Sequence, residues 1–231
     1  MKRIFSLLLA LTMLVSTLAV LSSCGGDKNP SSGNPSVRYV VTEEEWVANM
    51  VQKNYTLNGL FLGTDKYTEE NVTEYFYGKV NIKINDKALK NTQEIIYQGA
   101  LEAYDFLQIK KDGSFFNVYK NVFNGKYEAV KVDEGQWFTV ADIVYNYGVD
   151  RRMDSMFGEF TFDKDENCYV CEFADPNNIS IKVWFADGVV TDIKLETDWE
   201  DEGYYSVVVY EFSFTDIGKT KIDIPAYTVV E

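Results

Sequence analysis

The stretch "SIKVWFADGVVTDIKLE", residues 180–196, alternates in polarity on both sides of Asp187-Gly188. Ile181, Val183 and Phe185 share one side of an extended chain, and Ile193 and Leu195 do the same after the pair, because successive strand side chains point to opposite faces. Asp-Gly supplies the two positive φ values of a two-residue hairpin turn. The stretch therefore reads as a β-hairpin with one apolar face, and the same pattern recurs through most of the chain.

Working outward, period-two segments rich in aromatic and β-branched residues predict strands near 54–63, 73–85, 92–99, 103–111, 114–120, 126–132, 159–163, 167–174, 178–186, 189–197, 204–214 and 219–223. Asp112-Gly113 and Asn124-Gly125 are further hairpin signals. Thr42 followed by Glu45 is a capping box, and Trp46, Val47, Met50 and Val51 recur at helical spacing. Val140, Ile143, Val144 and Tyr147 mark a second helical face that Gly148 stops. Met153, Met156 and Phe157 suit one more helical turn. The expected fold is α+β: a large antiparallel meander whose apolar face is covered by two or three short helices. With no fixed repeat and no second linker, residues 39–231 read as one domain.

Upstream, Lys2 and Arg3 precede the apolar run Ile4–Leu21, and Ser22, Ser23 and Cys24 follow as a processing site. Leu21-Ser22-Ser23-Cys24 resembles the bacterial lipobox. That resemblance implies a signal peptide over residues 1–23 and acylation of Cys24; an ordinary secretory signal or N-terminal anchor is the other reading. "GGDKNPSSGNPSVR", residues 25–38, has the composition of a flexible tether, so residues 24–38 are expected to be lipidated cysteine and spacer. Several acyl chains would anchor the chain, since one alone binds marginally. The expected location is the extracytoplasmic face of the cell membrane.

The chain carries 22 basic and 36 acidic residues, a net charge of −14, and loses two more positive charges with the leader. Nucleic acid needs a basic patch and is excluded as a partner; a monomer held off anionic headgroups by its tether is expected. The chain has no histidine, which removes Ser-His-Asp triads, Cys-His pairs and the common zinc sites. There is no G-x-S-x-G elbow. "GKT" at 218–220 has Ser213 where a phosphate loop needs glycine. Asp163–Asn167 and Asp198–Gly203 place oxygens at alternate positions, but Cys168 and Ala174 in the first and Val209 in the second break the EF-hand pattern, so acidic hairpin turns are expected. No enzyme activity and no cofactor are expected. Cys168 and Cys171 are spaced C-x-x-C on a segment that reads as a strand, where residues three apart face opposite ways. Two buried or edge thiols, a strained disulfide, and a redox or metal site all remain open for them.

The lipobox and tether, the early helix, the mid-chain helical insert before "FGEFTFDKDENCYVCEF", the hairpin "VWFADGVVTDIKLE" and the ending "YYSVVVYEFSFTDIGKTKIDIPAY" together resemble small Gram-positive surface lipoproteins. Those in turn look like the half-barrel family of lipoprotein-localisation factors and mycobacterial lipid carriers. The resemblance implies a strongly curved antiparallel sheet with helices on its concave face and an apolar cavity between them. Ile181, Val183, Phe185, Ile193, Leu195, Val208, Tyr210, Phe212 and Phe214 then either form the core beneath the helices or line that cavity for a lipid-like ligand. A third use for the 35 aromatic residues (15 Phe, 16 Tyr and 4 Trp) is exposed contact with glycan or protein, with Trp137 and Trp199 as candidates. The expected function is a non-enzymatic, lipid-anchored surface protein that binds or carries an apolar ligand. The alternative is a surface interaction module with a filled core that contacts envelope polysaccharide or another protein.

Overall fold

Strand β1 (Tyr55–Tyr67) lies in the middle of a twelve-stranded sheet and pairs along its length with a neighbour on each side. The computed structural model describes residues 37–67, 71–146, 149, 151–174 and 178–230. The expected signal peptide, Cys24 and nearly all of the expected tether lie outside them, as do Tyr147 and Gly148. From β1 the chain steps outward through β2 (Val72–Ile84), β3 (Ala88–Tyr97), β4 (Ala100–Lys111), β5 (Ser114–Lys120) and β6 (Tyr127–Val132). It then crosses to the opposite edge and returns through β7 (Thr161–Asp163), β8 (Cys168–Phe173), β9 (Asn178–Ala186), β10 (Val189–Asp201) and β11 (Tyr204–Thr215). β11 pairs with β1 from Thr56↔Thr215 to Tyr67↔Tyr204. The sheet is thus two antiparallel meanders fused through β1 and β11, where the sequence suggested one.

Two α-helices, α1 (Glu43–Met50) and α2 (Val140–Asn146), pack on one face of the curved sheet. The further turn expected around Met153–Phe157 is two single 3-10 turns, Met153–Ser155 and Phe157–Glu159. In α1 the Thr42–Glu45 capping box forms as expected, and Arg38 adds a bidentate ion pair that holds the Glu45 carboxylate down to about pKa 2. Asn49, buried, donates to the Gly188 carbonyl at 2.8 Å and accepts from the Val190 amide at 3.0 Å. One side chain therefore satisfies the backbone at the tip of the β9–β10 hairpin and fixes α1 to it. Trp46 is fully buried, with its indole N–H on the Met153 carbonyl at 2.7 Å. Val47 and Val51, expected on the apolar face, are exposed at 36% and 43%. The buried side of α1 is Trp46, Asn49 and Met50, and Val47 and Val51 fall beside it.

Turn chemistry explains most connections. Asp112-Gly113 and Asp187-Gly188 hold positive φ at both residues, as their type I′ turns require. Gln98-Gly99 does the same without a recognised signal, and Asn124-Gly125 is instead the end of a longer 121–126 loop. The strand expected at 219–223 is absent. There Thr220 bonds through its amide to Asn54 Oδ1 (2.9 Å) and through its carbonyl to Asn85 Nδ2 (3.1 Å). Side chains thus replace a ladder, and Ile222 packs against the cluster of Ala88, Leu107, Ile109, Val118 and Ala129 on the face away from the helices. The last strand is β12 (Tyr227–Val230), parallel to β6.

Glycines in β1 and β2 set the shape of the upper sheet. Gly63 lies opposite Phe76, and Phe61 opposite Gly78; a Cβ at Gly63 or Gly78 would enter the partner's ring. Each ring reaches over a glycine and covers the backbone that the glycine leaves bare. Gly78→Ala is expected to destabilise by about 1–3 kcal/mol through displacement of Phe61. In urea unfolding, Phe61→Ala combined with Gly78→Ala should cost less than the sum of the two single changes. Strict additivity would show that the methyl meets something other than the ring.

Candidate functional site

The helices cover only the lower part of their face. Tyr55, Leu57, Ile82 and Ile84 are buried there among the core residues around Trp46. Further along the same strands and on the same face stand Phe61, Phe76, Tyr97 and Tyr210, then Tyr67, Tyr204 and Trp199. Their register is fixed by the pairs Phe61↔Tyr210, Phe76↔Tyr97, Tyr67↔Tyr204 and Trp199↔Ser206. The rings form two connected rows. Centroid distances run 6.3 Å from Tyr97 to Phe76, 6.4 Å to Phe61 and 5.9 Å to Tyr210. In the second row Tyr204 lies 5.2 Å from Tyr67 and 5.1 Å from Trp199. All are half-buried except Trp199, which is exposed.

Two carboxylates sit among these rings. Asp65, buried, accepts from the Tyr204 hydroxyl and from Ser206 Oγ, both at 2.7 Å. Glu74 accepts from the Tyr97 hydroxyl and from Gln98 Nε2, both at 2.5 Å. Those bonds, the one from Tyr97 first, hold Glu74 below the usual carboxylate range, and Glu74 in turn pushes the Tyr97 phenol up. Burial, then Asp65, raises Tyr204. At neutral pH Glu74 is therefore anionic and both phenols keep their protons. Lys66, Lys79, Lys83, Lys90 and Lys194 all alternate onto the opposite face, as a period of two dictates. The aromatic face thus offers rings, hydroxyls and carboxylates, with no lysine or arginine among the described residues of β1, β2, β3, β10 and β11 on that side.

The nine residues singled out from the sequence all share this face. Ile181, Val183, Phe185, Ile193, Leu195, Phe212 and Phe214 are buried in the core with Trp46, Ile143 and Met153. Val208 is buried and Tyr210 half-buried where the core passes into the aromatic rows. Sequence reasoning named Trp199 but missed Phe61, Phe76 and Tyr97. The signal for two of them was present in "FLG" at 61–63 and "FYG" at 76–78, where glycine two residues from an aromatic interrupts a strand pattern. Trp137, the other tryptophan considered for exposed contact, is half-buried, with its indole N–H on the Asn85 carbonyl at 2.8 Å.

Elsewhere the chemistry is structural. A shallow cleft of about 510 Å³ on the opposite face is lined by Asn58, Lys79, Asn81, Thr92, Glu94, Glu211 and Ser213, and Asn81 bonds Asn58 across it at 2.7 Å. Asp163 Oδ1 accepts the amides of Asp165 (2.8 Å) and Glu166 (3.2 Å), making the first acidic stretch a hairpin turn. The second ends β10 and turns into β11. Among the described residues, no cluster of three or more acidic or cysteine side chains is placed to hold a metal ion, and no helix is long and apolar enough to cross a membrane.

β8 sends Cys168 and Cys171 to opposite faces, and both are free thiols, each buried. Burial, then Glu166, pushes Cys168 up to about 11, and burial also raises Cys171. At pH 8 Cys168 is therefore held as the thiol and not as the thiolate, the reactive form. Both thiols are expected to resist a chromogenic disulfide reagent in the native protein and to react at once in urea. Rapid native labelling of either would refute this assignment.

No known protein family matches the chain by sequence profile, and no curated protein is similar to it in sequence. Among solved structures it is similar to an S-type phycobiliprotein lyase from Guillardia theta, with 10% identity and a TM-score of 0.27 over 75% of this chain and 92% of that one. That similarity transfers neither ligand nor activity.

Proposed function

We propose that this chain is a non-enzymatic, lipid-anchored binding protein of the cell surface, and that its ligand lies on the aromatic upper half of the sheet face. The observation that carries this reading is the continuous surface of Phe61, Phe76, Tyr97 and Tyr210 with Asp65 and Glu74 at its margin. Rings seated beside glycines offer an apolar surface, while carboxylates and phenols orient the polar end. The ligand class that fits is amphipathic and lipid-like, within a sheet that would be the open half of a barrel. The seven buried residues of the lower row act as core, and the ligand surface begins where that core ends.

Native mass spectrometry of the full-length protein from its own membranes should show a retained small-molecule adduct. Phe76→Ala and Trp199→Ala should reduce its retention roughly tenfold, the loss of a contact of about 1.4 kcal/mol. Equal retention by both variants would place the ligand elsewhere. The half-exposed Trp199 favours a second reading, contact with envelope polysaccharide. That reading predicts no adduct, together with a shift in tryptophan emission on adding soluble glycan.

The anchor rests on Leu21-Ser22-Ser23-Cys24. Cys24→Ala should abolish incorporation of labelled fatty acid and release the protein from membranes; unchanged labelling and attachment would refute it.

A further inference from the structure

The β5–β6 connection, Asn121–Lys126, is a tightly bonded loop whose tip is apolar. Asn121 Oδ1 accepts the amides of Phe123 (2.8 Å) and Asn124 (3.3 Å), and the Asn121 amide donates to the Lys126 carbonyl at 2.8 Å. Gly125, at φ 71°, donates its amide to the Asn121 carbonyl at 2.8 Å. Glu128 receives the side-chain amides of Asn121 (2.9 Å) and Asn124 (3.2 Å), which hold it below the usual carboxylate range. The loop spends its polar groups on itself. Val122 and Phe123 are left 87% and 96% exposed.

These are the two most exposed large apolar side chains of the described residues, and a closed hydrogen-bond network keeps them from folding back. Lys120 and Lys126 flank them, both exposed. Tyr119 and Tyr127, 45% and 37% exposed, stand just behind on the two strands. An apolar tip, then lysines, then tyrosines is the order in which side chains meet a bilayer surface: apolar groups below the headgroups, cations and phenols among them. Two side chains fall well short of the roughly 800 Å² per partner of a stable protein interface. On a chain of net charge −14, a tip whose two flanking lysines outnumber the one carboxylate bonded to the loop, Glu128, is suited to an anionic surface.

We infer that the Asn121–Lys126 loop docks on the membrane, with Val122 and Phe123 entering the interface of an anionic bilayer. The domain then touches the membrane at a second point, in addition to any lipid on Cys24.

The test uses full-length protein reconstituted in phosphatidylcholine vesicles containing phosphatidylglycerol, with a fluorescent thiol label on Phe123→Cys or, as control, on Lys164→Cys in the acidic hairpin turn. Cys168 and Cys171 are buried and stay unlabelled. A quencher attached to the lipid chains should quench the label at 123 several-fold more than that at 164. The difference should shrink in Lys120→Glu/Lys126→Glu and in vesicles lacking phosphatidylglycerol. Equal quenching at the two positions overturns the inference. So does a label at 123 that is shielded in whole cell envelopes yet water-exposed in vesicles holding this protein alone, because that outcome assigns the tip to a protein partner. All four substituted positions, 120, 123, 126 and 164, are exposed, so none of the changes disturbs the core.

Discussion

The pairing of β1 with β11 is the contact on which the architecture depends. Without it the chain would be two separate sheets, each with a long unpaired edge; with it, β1 is bonded on both sides over almost its whole length. A strand so placed has no freedom of register, because a slip of one residue would turn Tyr55 and Leu57 out of the core and Thr56 and Asn58 into it. The remaining strands inherit their facing from β1. The nine apolar residues of β9, β10 and β11 share a face because Phe212 pairs with Gly59 on one side and with Ile193 on the other.

That long central strand outruns the helices. α1 has eight residues and α2 has seven, enough to cover the end of the sheet near Tyr55 and Ile84 but not its whole length. A bare apolar sheet face would be an aggregation hazard. The rings of Phe61 and Phe76 lie over glycines instead, and the margin is closed by Tyr–carboxylate pairs. Stability and proposed function therefore use the same groups: the rings that protect backbone at Gly63 and Gly78 are the surface a ligand would meet.

Charge is segregated by the same alternation. Lysines on the central strands fall opposite the aromatic face, in company with acids such as Glu94, Glu196 and Glu211, whereas Asp65 and Glu74 stand on the aromatic face with no lysine beside them; the two most exposed apolar side chains lie on a separate loop near the β6 edge, bracketed by lysines. The sheet thus offers chemically distinct surfaces: an acidic, aromatic one beyond the helices, a polar one behind, and a small apolar tip with basic flanks.

Much of this was legible in the chain itself. The α1 capping box, the Asp-Gly hairpins, eleven of the strands and the facing of Cys168 and Cys171 all arise from neighbours within a few residues, where backbone preference and side-chain periodicity act directly. The α+β class and the burial of Trp46 followed from those patterns. Tertiary structure decided what depends on distant partners. "KTKID" alternates like a strand, but Asn54 and Asn85 take its backbone groups, so it crosses the sheet as a strap. Asn124-Gly125 looks like a two-residue turn, but Asn121 and Glu128 hold a longer loop. The aromatic site joins residues from β1, β2, β3, β10 and β11, brought together only when β1 and β11 meet. Local sequence sets which side of a strand a residue occupies; long-range pairing decides which residues stand beside it and whether a helix reaches far enough to cover them.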